Sequence, residues 1–208
     1  MTSRTSPTAF ALRLPESWLE FDVWRATRTG DLARWVDSRI ATEPALKPWR
    51  ASLLSLLREV AGRAEREGAL YSAVLTEPVE DAGTIAATVM VFRTDGAADP
   101  AGNTVEAISA QITATAPSAG SDTWRTVGVV DLPAGQAVRV RGVETADLGG
   151  GIEAECVLLQ TLLPVPEDGG VLAVVCTSPQ VGLAEPLLDL FEAISDTLSW
   201  SYESVRPQ

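Results

Sequence analysis

The side chains that most often carry enzyme chemistry are scarce in this chain. Its 208 residues include no histidine. That removes Ser-His-Asp and Cys-His nucleophilic catalysis, imidazole acid–base chemistry and His-ligated metals together. The one lysine, Lys47, sits in an LKPW turn, whereas a Schiff-base lysine needs a desolvated pocket to lower its pKa. Cys156 and Cys176 lie inside apolar, strand-like runs with no nearby cation in sequence. This predicts reduced, buried, structural thiols and no disulfide. Glu153 and Glu155 share one face of a predicted strand, but any exposed strand can show that spacing, so it does not establish two-carboxylate glycoside chemistry. Asp147 would add a third oxygen ligand, yet the spacing matches no EF-hand loop. The glycines at 149–151 lack a G-x-G-x-x-G pattern and precede a strand rather than a helix N-terminus, which argues against a phosphate cradle. These residue types predict no catalytic residue, no metal site and no cofactor, and therefore a chain that is not an enzyme.

Tryptophan is the more suggestive type. Four of the six, Trp18, Trp24, Trp35 and Trp49, fall in the first fifty residues. Trp35 belongs to an apolar helix stripe. Trp18 and Trp24 lie on the charged side of a predicted strand, and Trp49 opens a helix. Trp200 projects onto the acidic side of the last predicted helix. Partly exposed tryptophans are enriched in binding hot spots, so Trp18, Trp24, Trp49 and Trp200 are candidate protein-binding residues. The alternative is that helices fold over them.

Composition narrows the partners. Asp and Glu total 28 against 16 Lys and Arg, a net charge of −12. A surface of that sign repels phosphate backbones and anionic membranes, and no local basic patch offsets it. Apolar residues make up 46% of the chain, ordinary for a globular protein, but no run approaches the roughly 18 apolar residues of a membrane span. The apolar portion of MTSRTSPTAFAL is too short for a signal-peptide core and no cysteine for lipidation follows, so a cytoplasmic location is the expectation.

The elements that must position these residues follow from periodicity. AFALRLP alternates Phe10, Leu12 and Leu14 against Ala11 and Arg13. In WLEFDVW, Leu19, Phe21 and Val23 share a face opposite Trp18, Glu20, Asp22 and Trp24. Gly30 and Asp31 announce a helix with Leu32, Trp35, Val36 and Ile40 as its stripe, Asp31 being a candidate cap. A second helix runs from Pro48 to about Glu67, with Leu53, Leu56, Leu57, Val60, Ala61 and Ala64 on one face, Glu59 and Arg63 paired on the other, and Gly68 ending it. ALYSAVLTEP and TIAATVMVF form a hairpin whose second strand is uncharged on both sides, which predicts a central strand covered on each face. Val105, Ile108 and Ile112 mark a short helix between two loops. Two strands follow around LPAG, the second alternating Val138 and Val140 with Arg139 and Arg141. Those arginines can pair with Glu153 and Glu155 on the next strand, at an exposed end of the sheet. The long strand Ile152–Leu163, the turn PVPEDGG and the strand VLAVVCT lead to a last helix from Glu185 and Pro186 to Trp200. Leu187, Leu190, Phe191, Ile194 and Leu198 form its stripe, and Asp189, Glu192 and Asp196 lie opposite. The prediction is one domain over residues 1–208, of the α+β class: a mainly antiparallel sheet flanked by helices on both faces, an α/β/α sandwich.

The segments LPAGQAVRVR, VLAVVCTSP and LLDLFEAISDTLSW, with the long strand between them, resemble in order the PsbP-like fold. That fold is shared by extrinsic photosystem proteins, a Ran-binding nuclear import factor and actinobacterial lipoproteins. FALRLPESW is similar to the fold's opening strand and its Pro-x-x-Trp turn. RATRTGDLARWVDSRI and PWRASLLSLLREVAGRAEREGALY are similar to an uncharacterised actinobacterial family, some of whose members are associated with type VII secretion loci. The chain departs from the lipoprotein branch in lacking a signal peptide and a lipidation cysteine. The resemblance implies a non-enzymatic binding or accessory role and carries over no functional residue. The expectation is a cytoplasmic protein-binding or accessory protein, supporting a type VII secretion system, with an unidentified protein partner, no nucleic acid and no membrane insertion. The alternative is a small-molecule binder with a pocket between sheet and helices.

Overall fold

A computed structural model describes residues 7–23, 30–79, 83–115, 123–147, 153–167 and 169–202. Nine strands are described: β1 (Ala9–Ala11), β2 (Leu19–Phe21), β3 (Tyr71–Val79), β4 (Gly83–Thr94), β5 (Trp124–Leu132), β6 (Gly135–Asp147), β7 (Glu153–Pro164), β8 (Val171–Ser178) and β9 (Ser199–Ser201). Four α-helices are set out among the described residues: α1 (Asp31–Thr42), α2 (Arg50–Glu67), α3 (Val105–Ala114) and α4 (Ala184–Ser195). Seven strands form one sheet in the order β2-β3-β4-β8-β7-β6-β5, antiparallel at every step. β1 and β9 form a separate two-stranded ribbon. The class is α+β, as the periodicities predict.

Alternation along each strand sends side chains to two faces, and helices cover both. On one face, Val89 and Val91 of β4, Leu159 of β7 and Val174 and Cys176 of β8 pack under Leu188, Phe191 and Ile194 of α4. On the other, Met90 meets Val60 and Ala64 of α2. Val74 meets Leu53 and Leu57 of α2 and Val36 of α1. Ile108 of α3 covers Val138 and Val171 at the far end. β4 has apolar side chains buried on both sides, whereas β8 is buried on the α4 side and half-buried at Ala173, Val175 and Thr177 on the other; neither strand alternates with charge. α2 ends at Gly68 with φ of 71°, the left-handed turn that glycine adopts without a Cβ clash. A two-pronged ion pair from Arg50 Nε and Nη2 to the Asp37 carboxylate, at 2.6 and 2.9 Å, ties α2 to α1.

Several local expectations are corrected. The last helix stops at Ser195 instead of reaching Trp200. The Thr197 hydroxyl donates to the Ile194 carbonyl at 2.7 Å, and the amides of Thr197 and Leu198 turn back to Ile194 and Ser195. This side-chain competition for helical carbonyls ends the helix in a tight turn. Trp200 therefore lies in β9, opposite Phe10 of β1, so helical projection does not apply to it. Trp18 is another correction: it is 7% exposed and packed in the α4-side cluster. Its neighbour Leu19 faces the opposite cluster with Phe21. Glu20 and Asp22, on the same side as Trp18, stay exposed, so burial on that side is confined to Trp18, just before β2. Asp31 is not the N-cap, which is Gly30; it is the first helical residue, paired with Arg34. Arg63 pairs with Glu67 at 2.8 Å, one turn further along α2.

Phe191 is fully buried at the centre of the larger cluster. Phe191→Ala is expected to lower stability by about 3–5 kcal/mol, the loss typical of truncating a core aromatic. An equilibrium urea titration followed by far-UV circular dichroism reads that loss as a lowered midpoint.

Candidate functional site

The four candidate tryptophans do not make one surface. Trp18 is buried, Trp200 is partly buried against the same cluster, and Trp24 lies outside the described residues. Trp49 alone of the described three stands out, 61% exposed at the junction of a 3-10 turn (Pro44–Trp49) with α2. The glycines at 149–151 also lie outside the described residues.

Two constellations emerge from tertiary contact. The first is a charged cluster between α4 and the sheet. Arg139 is 7% exposed, although its alternating strand predicts an exposed end of the sheet. Its Nη2 donates to Asp196 Oδ1 at 2.5 Å and to Ser195 Oγ at 3.4 Å. Its Nη1 lies 3.9 Å from Glu192 Oε2. Arg141 meets Glu192 at 3.0 Å and Glu185 at 2.9 Å. The Ser195 hydroxyl is 2.7 Å from that of Thr161, which stands opposite Arg139 in the β6–β7 register. The arginines therefore pair with α4 rather than with Glu153 and Glu155, which stand opposite Asp147 and Thr145 farther along β6. Glu185, Glu192 and Asp196 recur at seven and four residues, one stripe of α4 that faces β6. Each guanidinium is shared among acids, so the cluster holds α4 on the sheet.

The second constellation is a cleft of about 310 Å³ on the opposite face, between α2 and the ends of β4, β7 and β8. Leu56 and Val60 of α2 form one wall, and Val74 and Met90 form the floor. Glu59 and Arg63 contribute the charged lining. The chain's small residues make the space: Ala86, Ala87 and Thr88 succeed one another on β4. Its polar groups are few. The Thr88 and Thr177 hydroxyls bond to each other at 2.7 Å across the β4–β8 register. The Ser178 hydroxyl donates to Gln180 Oε1 at 2.7 Å, which also accepts the Ala86 amide at 3.2 Å. The Thr76 hydroxyl, on the residue opposite Ala86, is buried without a hydrogen-bond partner among the described residues. Cys156 completes the lining.

The two thiols are free and buried, as their apolar runs predict, and they point to opposite faces. Cys176 packs in the α4-side cluster, whereas Cys156 lines the cleft under α2. Burial raises the Cys156 pKa, opposed by the Arg63 guanidinium. Burial pushes the Cys176 thiol up to about 12, with Arg139 opposing. Both shifts disfavour the thiolate, the reactive form. No group of three Cys, Asp or Glu side chains suited to a metal ion converges among the described residues. What the cleft can do chemically is enclose an apolar group and offer hydroxyls to one polar end.

Sequence reading missed the cleft because its lining comes from α2, β3, β4, β7 and β8, separated by more than a hundred residues. The available signal was the threonines at 76, 88 and 177, hydroxyls set in otherwise apolar strand runs.

With a pKa near 12, Cys176 holds only about one thiolate in ten thousand at pH 8 and is screened from reagent. Brief iodoacetamide treatment of native protein at pH 8 is expected to leave Cys176 unmodified by mass spectrometry. The same treatment in denaturant is expected to alkylate both cysteines fully.

Among solved structures, this chain is similar to LpqN, described as involved in cell envelope biogenesis of Mycobacterium tuberculosis. The two share 11% identity over 96% of this chain and 87% of LpqN, with a TM-score of 0.46. No protein-family model matches the sequence, and no curated protein matches it.

Proposed function

We propose that this protein is a non-enzymatic binding protein that holds a small, mainly apolar ligand between α2 and the sheet. The observation that carries this reading is the cleft itself: about 310 Å³, walled by Leu56, Val60, Val74 and Met90, with the Thr88–Thr177 hydroxyl pair inside. Apolar walls with a few placed polar groups are the ordinary make-up of a ligand site, and this volume suits a small one. Glu59 and Arg63 set the charge met by a polar tail. Binding rather than turnover is supported by the lack of histidine and by thiols held protonated.

A thermal-shift panel of short- and medium-chain fatty acids, indoles and alkylamines tests it. A ligand at a hundred times its dissociation constant adds about 2.7 kcal/mol of stability, a rise of several degrees in Tm. Ala86→Phe, which places a ring in the cleft from a partly exposed strand position, is expected to abolish the shift while leaving the unliganded protein folded. No shift with any probe in wild type, or an undiminished shift in Ala86→Phe, would remove this assignment.

A second reading is a cytoplasmic accessory protein that docks a protein partner, in a type VII secretion system as the sequence resemblance implies. The exposed Trp49 supports it, since an indole beside Pro48 at a helix start presents a large, rigid apolar surface. Trp49→Ala is expected to leave Tm within about 1 °C of wild type, because so exposed a side chain packs little. The same variant is expected to lose partners recovered by affinity purification from the native host. Equal recovery by wild type and variant argues against Trp49 as the anchor.

A further inference from the structure

We propose that β5 pairs edge to edge with β5 of a second copy of this chain, about a twofold axis at Gly128, so that one sheet runs through both molecules. The two ends of the sheet are unlike. At one end stands β2, three residues long. At the other stands β5, nine residues long, with β6 as its only strand neighbour among the described residues. Long open edges invite strand addition, and proteins usually blunt them with proline, lysine or a bulge. β5 has neither proline nor lysine, its pairing with β6 runs without interruption, and its Val129 is 52% exposed.

The backbone phase of this edge follows from the hairpin. β5 and β6 join through the two residues Pro133 and Ala134, with Leu132 opposite Gly135 as the closing pair. The closing pair of such a hairpin exchanges both hydrogen bonds, and bonded and non-bonded pairs alternate from there. Trp124, Thr126, Gly128, Val130 and Leu132 therefore turn their N–H and C=O groups toward β6. Arg125, Val127, Val129 and Asp131 turn theirs outward.

These four outward residues are self-complementary. In an antiparallel pairing centred on Gly128, Val127 stands opposite Val129 of the second copy, and Arg125 opposite its Asp131. Outward residues then meet only outward residues, so the new ladder needs no bulge. The opposed side chains share a face, joining valine to valine and cation to anion on both sides of the axis. Glu144 accepts from Nε and Nη2 of Arg125 at 2.5 and 3.0 Å, which holds the guanidinium in place. At the axis the two Gly128 residues form a non-hydrogen-bonded pair, the closer type of approach. Space is open where a Cβ would stand on Gly128. An unrelated strand would have to supply the opposite charge at each end; a second copy carries both.

The test is the mass of the full-length chain by sedimentation velocity over a concentration series, with circular dichroism to confirm folding. Wild type is expected to sediment as a reversible dimer. Val129→Pro removes an outward N–H without touching a bond to β6, and is expected to raise the dissociation constant at least about tenfold. A pair of double variants tests the register. Val127→Glu with Val129→Lys sets opposite charges face to face and is expected to remain dimeric, whereas Val127→Lys with Val129→Lys sets like charges face to face and is expected to be monomeric. A wild type that stays monomeric at all concentrations overturns the proposal. So does a dimer undisturbed by Val129→Pro, or equal behaviour of the two folded double variants.

Discussion

Water must be kept off both sides of β4 and off the α4 side of β8, and the rest of the architecture answers that constraint. Val89, Val91, Val174 and Cys176 face one way, and Met90 faces the other. Neither strand can lose that cover without exposing large aliphatic side chains, each contributing about 1.5–3 kcal/mol when buried. α4 closes one side and α2 the other. β8 comes late in the chain yet lies between β4 and β7. The strands before residue 100 and those after it therefore share one ladder of backbone hydrogen bonds, and the α4-side core layer runs across both sets.

The two layers achieve cover by different means. On the α4 side, apolar packing is joined by two arginines of β6 and three acids of one helix stripe. Desolvation of buried ions offsets most of their attraction, so such a cluster adds little net stability. What it supplies is direction: guanidinium and carboxylate groups meet in few geometries, whereas aliphatic side chains tolerate many. On the α2 side the cover is not continuous. α1 and α2 lie over one part of the sheet and α3 over another, in separate apolar clusters. Leu158, Gln160 and Val175, on strands between them, are only half-buried. The cleft lies beside this break, where α2 stands over the small side chains of β4. An uneven layer on one face leaves room for a ligand that the tightly filled opposite face does not.

The strand periods and helix stripes were legible because burial repeats every two residues in a strand and every 3.6 in a helix. That signal placed α2 with its glycine stop, the β3–β4 and β5–β6 hairpins, and the two-sided burial of β4. It failed where local rules compete. Trp200 continues an apparent helical pattern, but Thr197 takes the Ile194 carbonyl and turns the chain into β9. Arg139 and Arg141 alternate with valines as on a solvated face, but α4 brings its own carboxylates over them. Trp18 sits among charged residues in sequence and is nevertheless core, because the turn before β2 sets it in the α4-side cluster while Glu20 and Asp22 stay exposed.

The sequence by itself determined the class of fold, the excluded imidazole chemistry and the reduced, buried state of both cysteines, since each depends on residue type or on a short-range period. It also contained the charge and valine symmetry of β5 about Gly128, although only the position of β5 at the sheet's edge gives that symmetry a surface to act on. Tertiary structure alone decided which tryptophans are buried, which acids meet the arginines, and where a cleft opens. Those depend on contacts between segments many residues apart, and no local pattern records which face of one element will meet another.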